Sequence, residues 1–270
     1  MVPSIQFDQR DCVGYVSLSH PRRFNAMSRQ MWRELRDVFE CLQFDNTLRC
    51  VVLSGQGGNF CAGGDISEYP SFRFSETSLR EFHEGEVWGG LQAMLQCDLP
   101  IVAQIAGNCM GAGLEIASCC DIRLAAESAH FGAPIARLGF PMAPREAALV
   151  LREVGSVTVR QMLLEAAVFG AADMLQRGFL SRVVVDAELA NLTQTTVQRI
   201  SQLGPEAARL NKQTLRTLST TLALDGGLLP DEKAIASKVN SLLSGAYAYA
   251  SRAEQREGIA AFLEKRAPAF

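Results

Sequence analysis

The sequence predicts an α/β core followed by a helical C-terminal region, and three features of the chain indicate this. Short β-rich runs alternate with helical stretches over the first two thirds of the sequence, as in a layered α/β domain. From about Ala187 onward the sequence is almost wholly helical in pattern, with apolar residues at helical spacing. No linker-like tract interrupts the 270 residues, so we expect residues 1–200 to form the core and residues 201–270 the helical region.

The core is expected to begin with two strands and an amphipathic helix. The strands cover residues 4–9 and 12–18, with a break at Arg10-Asp11 between them. Ser28 is a natural N-cap for the helix that follows. The buried face of this helix is predicted to contain five residues at helical spacing: Met31, Leu35, Val38, Phe39 and Leu42.

The alternation of strands and helices then repeats along the chain. Further strands are predicted at residues 50–54, 101–106, 122–125 and 182–185. A polar helical segment runs through the 70s and 80s to Cys97. In the C-terminal region, Pro205 suits the first turn of a long helix, and Gly226-Gly227 separates that helix from the next.

Composition and charge limit the classes of partner. Lys and Arg total 26 against 29 acidic residues, so the net charge of −3 gives no reason to expect nucleic acid or an anionic membrane as partner. No apolar run reaches the roughly 18 residues that span a bilayer. No signal peptide precedes the first predicted strand, and we expect a cytoplasmic protein.

The cysteines and histidines do not form a metal-binding pattern. Cys50, Cys109, Cys119 and Cys120 lie among apolar or small residues, where a free cysteine behaves as a small hydrophobic side chain. The chain has three histidines and no paired CxxC spacing, so we expect no bound metal.

Two glycine-rich segments are the most informative part of the sequence. Residues 59–66 read Asn-Phe-Cys-Ala-Gly-Gly-Asp-Ile, and residues 107–115 read Gly-Asn-Cys-Met-Gly-Ala-Gly-Leu-Glu. Each follows a predicted strand, and the second opens a helix whose first N–H groups can bind negative charge. Taken singly, each segment is more simply interpreted as a plain turn. Neither has the spacing of a phosphate loop or of a dinucleotide-binding turn.

The order of the motifs is more specific than any one of them. Phe-Cys-Ala-Gly-Gly-Asp-Ile is followed by Gly-x-x-x-Gly-Ala-Gly-x-Glu-x-Ala-x-x-Cys-Asp and then by Ala-x-Phe-Gly-x-Pro-x-x-x-Leu-Gly. His-Pro-Arg-Arg-Phe-Asn-Ala-Met precedes them, and Glu-Gly-Ile-Ala-Ala-Phe-Leu-Glu-Lys-Arg follows near the C-terminus. Together these segments resemble the crotonase (enoyl-CoA hydratase/isomerase) superfamily over essentially the whole chain.

This resemblance implies a spiral of ββα units with C-terminal helices that assemble trimers, often stacked as hexamers. It implies an acyl-CoA substrate and no separate cofactor, since coenzyme A is part of the substrate. It also implies an oxyanion hole for the thioester oxygen, with the N–H groups of Ala62 and Ala112 as the matching donors.

The resemblance further implies a binding path for coenzyme A. Arg22 matches a position that is often basic near the CoA phosphates, and Phe262 and Lys265 are expected near the nucleotide of a neighbouring subunit. For the basic residues, solvated surface charge is an equally open interpretation. The path for adenine and pantetheine is expected along five consecutive residues: Ala62, Gly63, Gly64, Asp65 and Ile66.

Acid–base chemistry is expected at Glu115, which matches the first of two glutamates that bracket the substrate in true hydratases. One helical turn separates it from Ala112. The second glutamate falls 20 residues later, where this chain has Ile135, which cannot transfer a proton. The ordinary hydratase route therefore lacks one of its two groups. Ile135, Phe140 and Met142 are predicted to line the acyl pocket.

Other charged residues offer substitutes for the missing carboxylate. Arg145 and Glu146 are expected either to form an ion pair at the start of a helix or to face the acyl pocket. His83, Glu84 and Glu86 lie on the polar helical segment, where solvent exposure is the simpler expectation.

The leading functional hypothesis is an enzyme that acts on a CoA thioester through an enolate. Double-bond isomerisation needs one group that shuttles a proton, whereas hydration needs a substitute for the second carboxylate. Decarboxylation and a non-catalytic acyl-CoA binder stay open. RNA binding is disfavoured by the negative net charge.

Overall fold

The computed structural model describes the following residues: 2–222, 237, 240 and 246–270. The chain divides into a first unit, Met1–Gln198, and a second unit, Arg199–Phe270. The predicted break at Gly226-Gly227 lies outside the described residues.

Parallel strands form the centre of the first unit. The strands are Ser4–Arg10 (β1), Val13–Ser19 (β2), Cys50–Gly55 (β3), Ile101–Ile105 (β4), Asn108–Met110 (β5), Ile122–Ala126 (β6), His130–Gly132 (β7), Val168–Gly170 (β8) and Arg182–Val184 (β9). Within the described ranges, six strands form the main sheet in the order β1-β2-β3-β4-β6-β9, and β5-β7-β8 form a second sheet. In the main sheet only β1 and β2 pair antiparallel. The predicted strands are confirmed to within one residue at each end, whereas the second sheet is not predicted.

Helices connect the strands of the first unit and continue into the second unit. They are Arg29–Gln43 (α1), Glu76–Arg80 (α2), Trp88–Gln96 (α3), Ala112–Ser118 (α4), Pro144–Val154 (α5), Ser156–Leu164 (α6), Ala171–Gln176 (α7), Leu189–Ser201 (α8), Pro205–Leu222 (α9) and Ala253–Glu264 (α10). A π-helical segment, Glu81–Val87, joins α2 to α3. Pro205 begins α9 as predicted.

Helix α1 forms as its sequence predicts. The Ser28 hydroxyl accepts a hydrogen bond from the Met31 N–H at 3.2 Å and caps the helix. Four residues of the predicted stripe are buried, and Val38 is partly buried against the same core. This face packs on α3, so the polar segment before α3 is held against the body of the first unit.

The cysteines contribute to the core rather than to its surface. Cys50, Cys109, Cys119 and Cys120 are all buried, which confirms their predicted role as small hydrophobic side chains. Burial raises the pKa of the Cys109 and Cys119 thiols, so both are held in the neutral form.

In the second unit, a carboxylate joins the two described helices. Glu254 on α10 accepts hydrogen bonds from the N–H groups of Glu206 and Ala207, each at 2.9 Å. These N–H groups belong to the first turn of α9 and have no partner within that helix. In the parts of the chain that the structure describes, no helix is both long enough and apolar enough to cross a membrane.

Candidate active site

The two glycine-rich segments meet beside the ends of β3 and β4. The Cys61 N–H donates to the Asn108 carbonyl at 2.8 Å, and the Met110 N–H donates to the Cys61 carbonyl at 2.8 Å. The Asn59 side-chain oxygen accepts from both the backbone and the side chain of Asn108. Because β3 and β4 are parallel neighbours, their carboxyl ends lie at one edge of the sheet and bring both turns together.

In the Asn-Ala motif near the N-terminus, Asn25 has a structural role. It is fully buried with a φ of 60°, a left-handed conformation that Asn tolerates better than most residues. Its side-chain nitrogen donates to the carbonyls of Gln56 and Asn59, both at 2.7 Å, and its oxygen accepts from the His20 N–H. Asn25 therefore holds the first glycine-rich turn against the N-terminal segment.

The predicted role of the Ala62 N–H needs correction. This group donates to the Phe24 carbonyl at 2.9 Å, so it is already committed within the protein. It is therefore not free to hold a thioester oxygen, although Ala62 lines the candidate cavity.

Gly64 offers the free N–H group instead. The Met27 N–H donates to the Gly63 carbonyl and the Asp65 N–H donates to the Met27 carbonyl, both at 2.8 Å. These bonds flank Gly64 in a parallel bridge, so the N–H of Gly64 points to the opposite side. Ala112, the first residue of α4, has an N–H with no intrahelical partner. Among the residues that the structure describes, neither N–H has an acceptor.

Close contacts require glycine at two positions around these donors. A Cβ on Gly64 would lie 2.3 Å from the Tyr69 hydroxyl oxygen, and a Cβ on Gly113 would lie 2.5 Å from the Cys61 carbonyl oxygen. Side chains there would push Tyr69 and helix α4 away from the turn. The glycines therefore keep the two free N–H groups close to one cavity.

That cavity, called here the Glu115 cavity, has a volume of about 340 Å³. Glu115 lines it together with Gly64 and Ala112. Burial raises the pKa of Glu115 to about 8, and the negative charge of Glu146 adds to the shift. At neutral pH the carboxyl group is therefore mostly protonated, which suits a proton donor.

The predicted acyl-pocket residues all line the same space. Ile135, Phe140 and Met142 line the Glu115 cavity. Phe140 and Met142 also line a larger space of about 870 Å³, called here the adjoining cavity. Ile66 and Tyr69 line both cavities, so the two spaces share a wall.

A histidine–glutamate pair lies beside Glu115. His83 Nδ1 is 2.9 Å from Glu146 Oε1, and Glu146 is only 2% exposed. His83 lines both cavities, so the expectation of a purely solvent-exposed His83 is wrong. The expected Arg145–Glu146 ion pair does not form, because Arg145 pairs with Glu84 at 2.9 Å. Two side chains at the start of α5 thus contact the π-helical segment.

Glu86 also has a structural partner. Its carboxylate accepts two hydrogen bonds from Arg29, at 2.7 and 2.8 Å, and one from Arg33. These bonds fix the end of the π-helical segment to α1. The spacing of charges in the sequence gives no signal for this contact, because the partners are more than 50 residues apart.

The residues expected along coenzyme A have different surroundings. Gly63 and Ile66 line the Glu115 cavity. The Asp65 carboxylate is buried and accepts from Ser67 and from Arg23, at 2.8 Å to Arg23, so this side chain stabilises the turn itself.

The other predicted CoA contacts lie on exposed surface. Arg22 is exposed in the short turn Pro21–Arg23. In the second unit, Phe262 is 83% exposed on α10 and Lys265 follows the end of that helix. Across the described parts of the chain, no group of three or more His, Cys, Asp and Glu side chains is arranged to hold a metal ion.

The fold and the paired turns define a crotonase-type protein, and comparison with known proteins supports this class. A family model described as Enoyl-CoA hydratase/isomerase matches residues 8–270. The chain therefore belongs to the enoyl-CoA hydratase/isomerase family, within the crotonase superfamily, which confirms the resemblance of its motifs.

Relatives match over nearly their full lengths. A protein of Mycobacterium tuberculosis named as a probable enoyl-CoA hydratase is 31% identical over 266 residues, which cover 98% of this chain and 96% of the relative. A crotonyl-CoA hydratase of Syntrophomonas wolfei is 28% identical, with 99% and 97% covered. An (E)-benzylidenesuccinyl-CoA hydratase of Thauera aromatica is also 28% identical, with 96% and 95% covered.

Solved structures share the fold. An enoyl-CoA hydratase/carnithine racemase from Magnetospirillum magneticum superposes with a TM-score of 0.88 at 31% identity, covering 98% of this chain and 94% of that one. Pseudomonas aeruginosa AtuE superposes with a TM-score of 0.85 at 28% identity, and 98% of each chain is covered. The chain is thus similar in sequence and structure to enzymes of the hydratase/isomerase type.

Proposed function

We propose that this hydratase/isomerase-type enzyme converts an unsaturated acyl-CoA through a thioester enolate held by the N–H groups of Gly64 and Ala112. The observation that carries the proposal is the position of two unpaired backbone donors in one cavity with Glu115. Family membership and the hydratase names of the relatives support an acyl-CoA substrate. The proposal includes neither a metal nor a separate cofactor.

The two backbone donors address the charge that develops during the reaction. Negative charge collects on the thioester oxygen when the α-carbon loses a proton or the β-carbon gains a nucleophile. Fixed N–H groups stabilise this charge without reorganising, and one such donor is typically worth about 3 kcal/mol. Their fixed position follows from the Gly64 bridge and from the start of α4.

Glu115 is proposed as the proton-transfer group. In isomerisation, its ionised carboxylate takes a proton from carbon 2 of a 3-enoyl thioester and returns it to carbon 4. In hydration, its protonated carboxyl donates to carbon 2 while water adds to carbon 3. The raised pKa of about 8 leaves both forms accessible near neutral pH.

Hydration requires a second group, and the His83–Glu146 pair supports that candidate reaction. An ionised Glu146 carboxylate accepts from His83 Nδ1–H, which leaves Nε2 free to accept a proton from the attacking water. Glu146 does not line either cavity, so we assign it a positioning role. We assign this pair the role of the second glutamate of true hydratases, because this chain has Ile135 at that position.

The proposal also covers binding of the remainder of the substrate. The segment from Ala62 to Ile66 is proposed to follow the adenine and pantetheine of coenzyme A. Arg22 is proposed to contact its phosphates, and Phe262 and Lys265 its nucleotide from a neighbouring subunit. A trimer or hexamer is the assembly that this arrangement needs.

Turnover of crotonyl-CoA and of a 3-enoyl-CoA tests the proposed chemistry. Glu115→Gln should lower kcat for both reactions by about 10²-fold or more, the usual contribution of one acid–base group. His83→Ala should lower hydration by a similar factor, about 10²-fold, with partial rescue by added imidazole, and should spare isomerisation.

His130→Ala is the matched control, because His130 is exposed on β7 and lines neither cavity. If neither substrate is converted while CoA esters still bind, the proposed hydratase/isomerase reaction is contradicted. Malonyl-type thioesters would then test decarboxylation. A loss of isomerisation equal to that of hydration in His83→Ala would contradict the assignment of His83.

A further inference from the structure

Arg73 lies in the wall shared by the two cavities. It follows the short helical turn Ile66–Ser71 and lines both the Glu115 cavity and the adjoining cavity. Its guanidinium carbon is 3.6 Å from the centroid of the Phe140 ring and 4.7 Å from that of Tyr69. The guanidinium therefore faces aromatic rings inside a largely apolar space.

The other charged side chains that line these cavities have polar partners, apart from Glu115. Glu76 pairs with Arg80 at 3.0 Å, and Glu84 pairs with Arg145 at 2.9 Å. His83 contacts Glu146. Arg137, which lines the Glu115 cavity, donates a hydrogen bond to the Ala166 carbonyl at 3.4 Å.

Arg73 is different, because its guanidinium has no hydrogen-bond acceptor among the described residues. A guanidinium carries five N–H donors, and two aromatic faces satisfy none of them by a normal hydrogen bond. Burial lowers the pKa of Arg73, and among the described residues the Tyr69 hydroxyl, rather than a carboxylate, acts in the opposite direction. Arg29 shows the contrast, since its bonds to Glu86 raise its pKa.

We propose that Arg73 binds a carboxylate at the far end of the acyl group, so that the preferred substrates are CoA thioesters of dicarboxylic acids. The planar guanidinium matches a carboxylate through two parallel hydrogen bonds, and the Phe140 and Tyr69 rings hold its plane. The inference rests on the proposed function, which sets the thioester at Gly64 and Ala112.

The location of Arg73 favours the acyl carboxylate over a CoA phosphate as its ligand. Phe140 and Met142, which share the cavity with it, are proposed acyl-pocket residues. A charged-group hydrogen bond contributes about 1.5–3 kcal/mol, which corresponds to roughly 10- to 100-fold in affinity.

Binding of saturated thioesters tests the inference without requiring turnover. Succinyl-, glutaryl- and adipyl-CoA are each compared by calorimetry with the neutral thioester of equal chain length: butyryl-, pentanoyl- and hexanoyl-CoA. In the native protein at least one dicarboxylic thioester should bind about 10- to 100-fold more tightly than its neutral match. Arg73→Met should abolish that preference and leave the neutral esters within about threefold, because Met keeps the apolar contact with the rings.

Arg145→Met is the matched control. Arg145 is also stacked on a ring, with its guanidinium carbon 5.4 Å from the Trp88 centroid, but it pairs with Glu84 and lines neither cavity. The preference for dicarboxylic thioesters should persist in this variant. A thermal melt checks that both variants are folded.

Three outcomes would overturn the inference. One is equal affinity for every matched pair in the native protein, and another is an unchanged preference in Arg73→Met. The third is an equal loss of affinity for dicarboxylic esters, neutral esters and free coenzyme A, which would assign Arg73 to a CoA phosphate. Failure of turnover with the preference intact would instead contradict only the proposed reaction.

Discussion

At the scale of single residues, the site depends on a carboxyl group that is kept out of bulk water. Glu115 has a pKa raised to about 8 because it is buried and because Glu146 is near. The charge state of this one group decides whether the site donates or accepts a proton. The same shift has a consequence for stability, because the folded protein binds this proton more tightly than the unfolded chain.

Glu115 should therefore make stability depend on pH. Its contribution to the free energy of unfolding is fully present below pH 4.5 and is lost as pH rises to about 8. The glutamine of Glu115→Gln does not ionise at any of these pH values. Between pH 4.5 and about pH 8, the free energy of unfolding of the variant should therefore rise relative to that of the native protein by up to about 5 kcal/mol. Urea denaturation of both proteins at pH 5 and pH 8 measures the difference. An equal difference at the two pH values would contradict the raised pKa.

Sequence reasoning at this scale succeeds where the spacing is local. Glu115 lies one helical turn from Ala112, so a motif suffices to put both beside one cavity. Local sequence does not show whether the N–H group of Ala62 or that of Gly64 is free to bind a ligand. This depends on bonds to Phe24 and Met27, which are distant in the sequence.

At the scale of elements, the start of α4 and the turn after β3 must approach closely. Gly113 makes this approach possible, because any Cβ there would meet the Cys61 carbonyl at 2.5 Å. The distance between the two free N–H groups is thus set by backbone packing.

Gly113→Ala should destabilise the protein by about 1–3 kcal/mol, the usual cost of overpacking, and should lower kcat as α4 is displaced. Gly85→Ala is the control in the π-helical segment, where an added Cβ meets nothing within 4 Å. It should stabilise by about 0.5–1 kcal/mol through its helical preference. Denaturation midpoints and kcat of the two variants test this, and an undisturbed Gly113→Ala enzyme would contradict the packing argument.

The elements that sequence reasoning missed are those without a periodic signal. The strands β5, β7 and β8 have three residues each, too few to show alternation. The polar helical segment through the 70s and 80s is confirmed, but its sequence does not predict that the π-helical part, Glu81–Val87, directs His83 toward the cavities. Its position depends on contacts with α1 and α5, which no local pattern reveals.

At the scale of the whole molecule, the order of motifs is the strongest indication of the family. It indicates the same family over the whole chain, and the family match over residues 8–270 confirms this prediction. Assembly as a trimer or hexamer stays a prediction, with Ile259, Phe262 and Leu263 exposed on α10 as its candidate contacts. In the intact enzyme, we expect a thioester bound at Gly64 and Ala112 to become acidic at its α-carbon.

Hydrogen–deuterium exchange at the α-carbon of butyryl-CoA measures this acidity most directly, because exchange needs an enolate but neither a double bond nor water addition. NMR should show that the native protein incorporates deuterium at carbon 2. Glu115→Gln should slow this exchange by about 10²-fold or more while butyryl-CoA still binds. Binding without exchange in the native protein would contradict an enolate mechanism and favour a non-catalytic acyl-CoA binder.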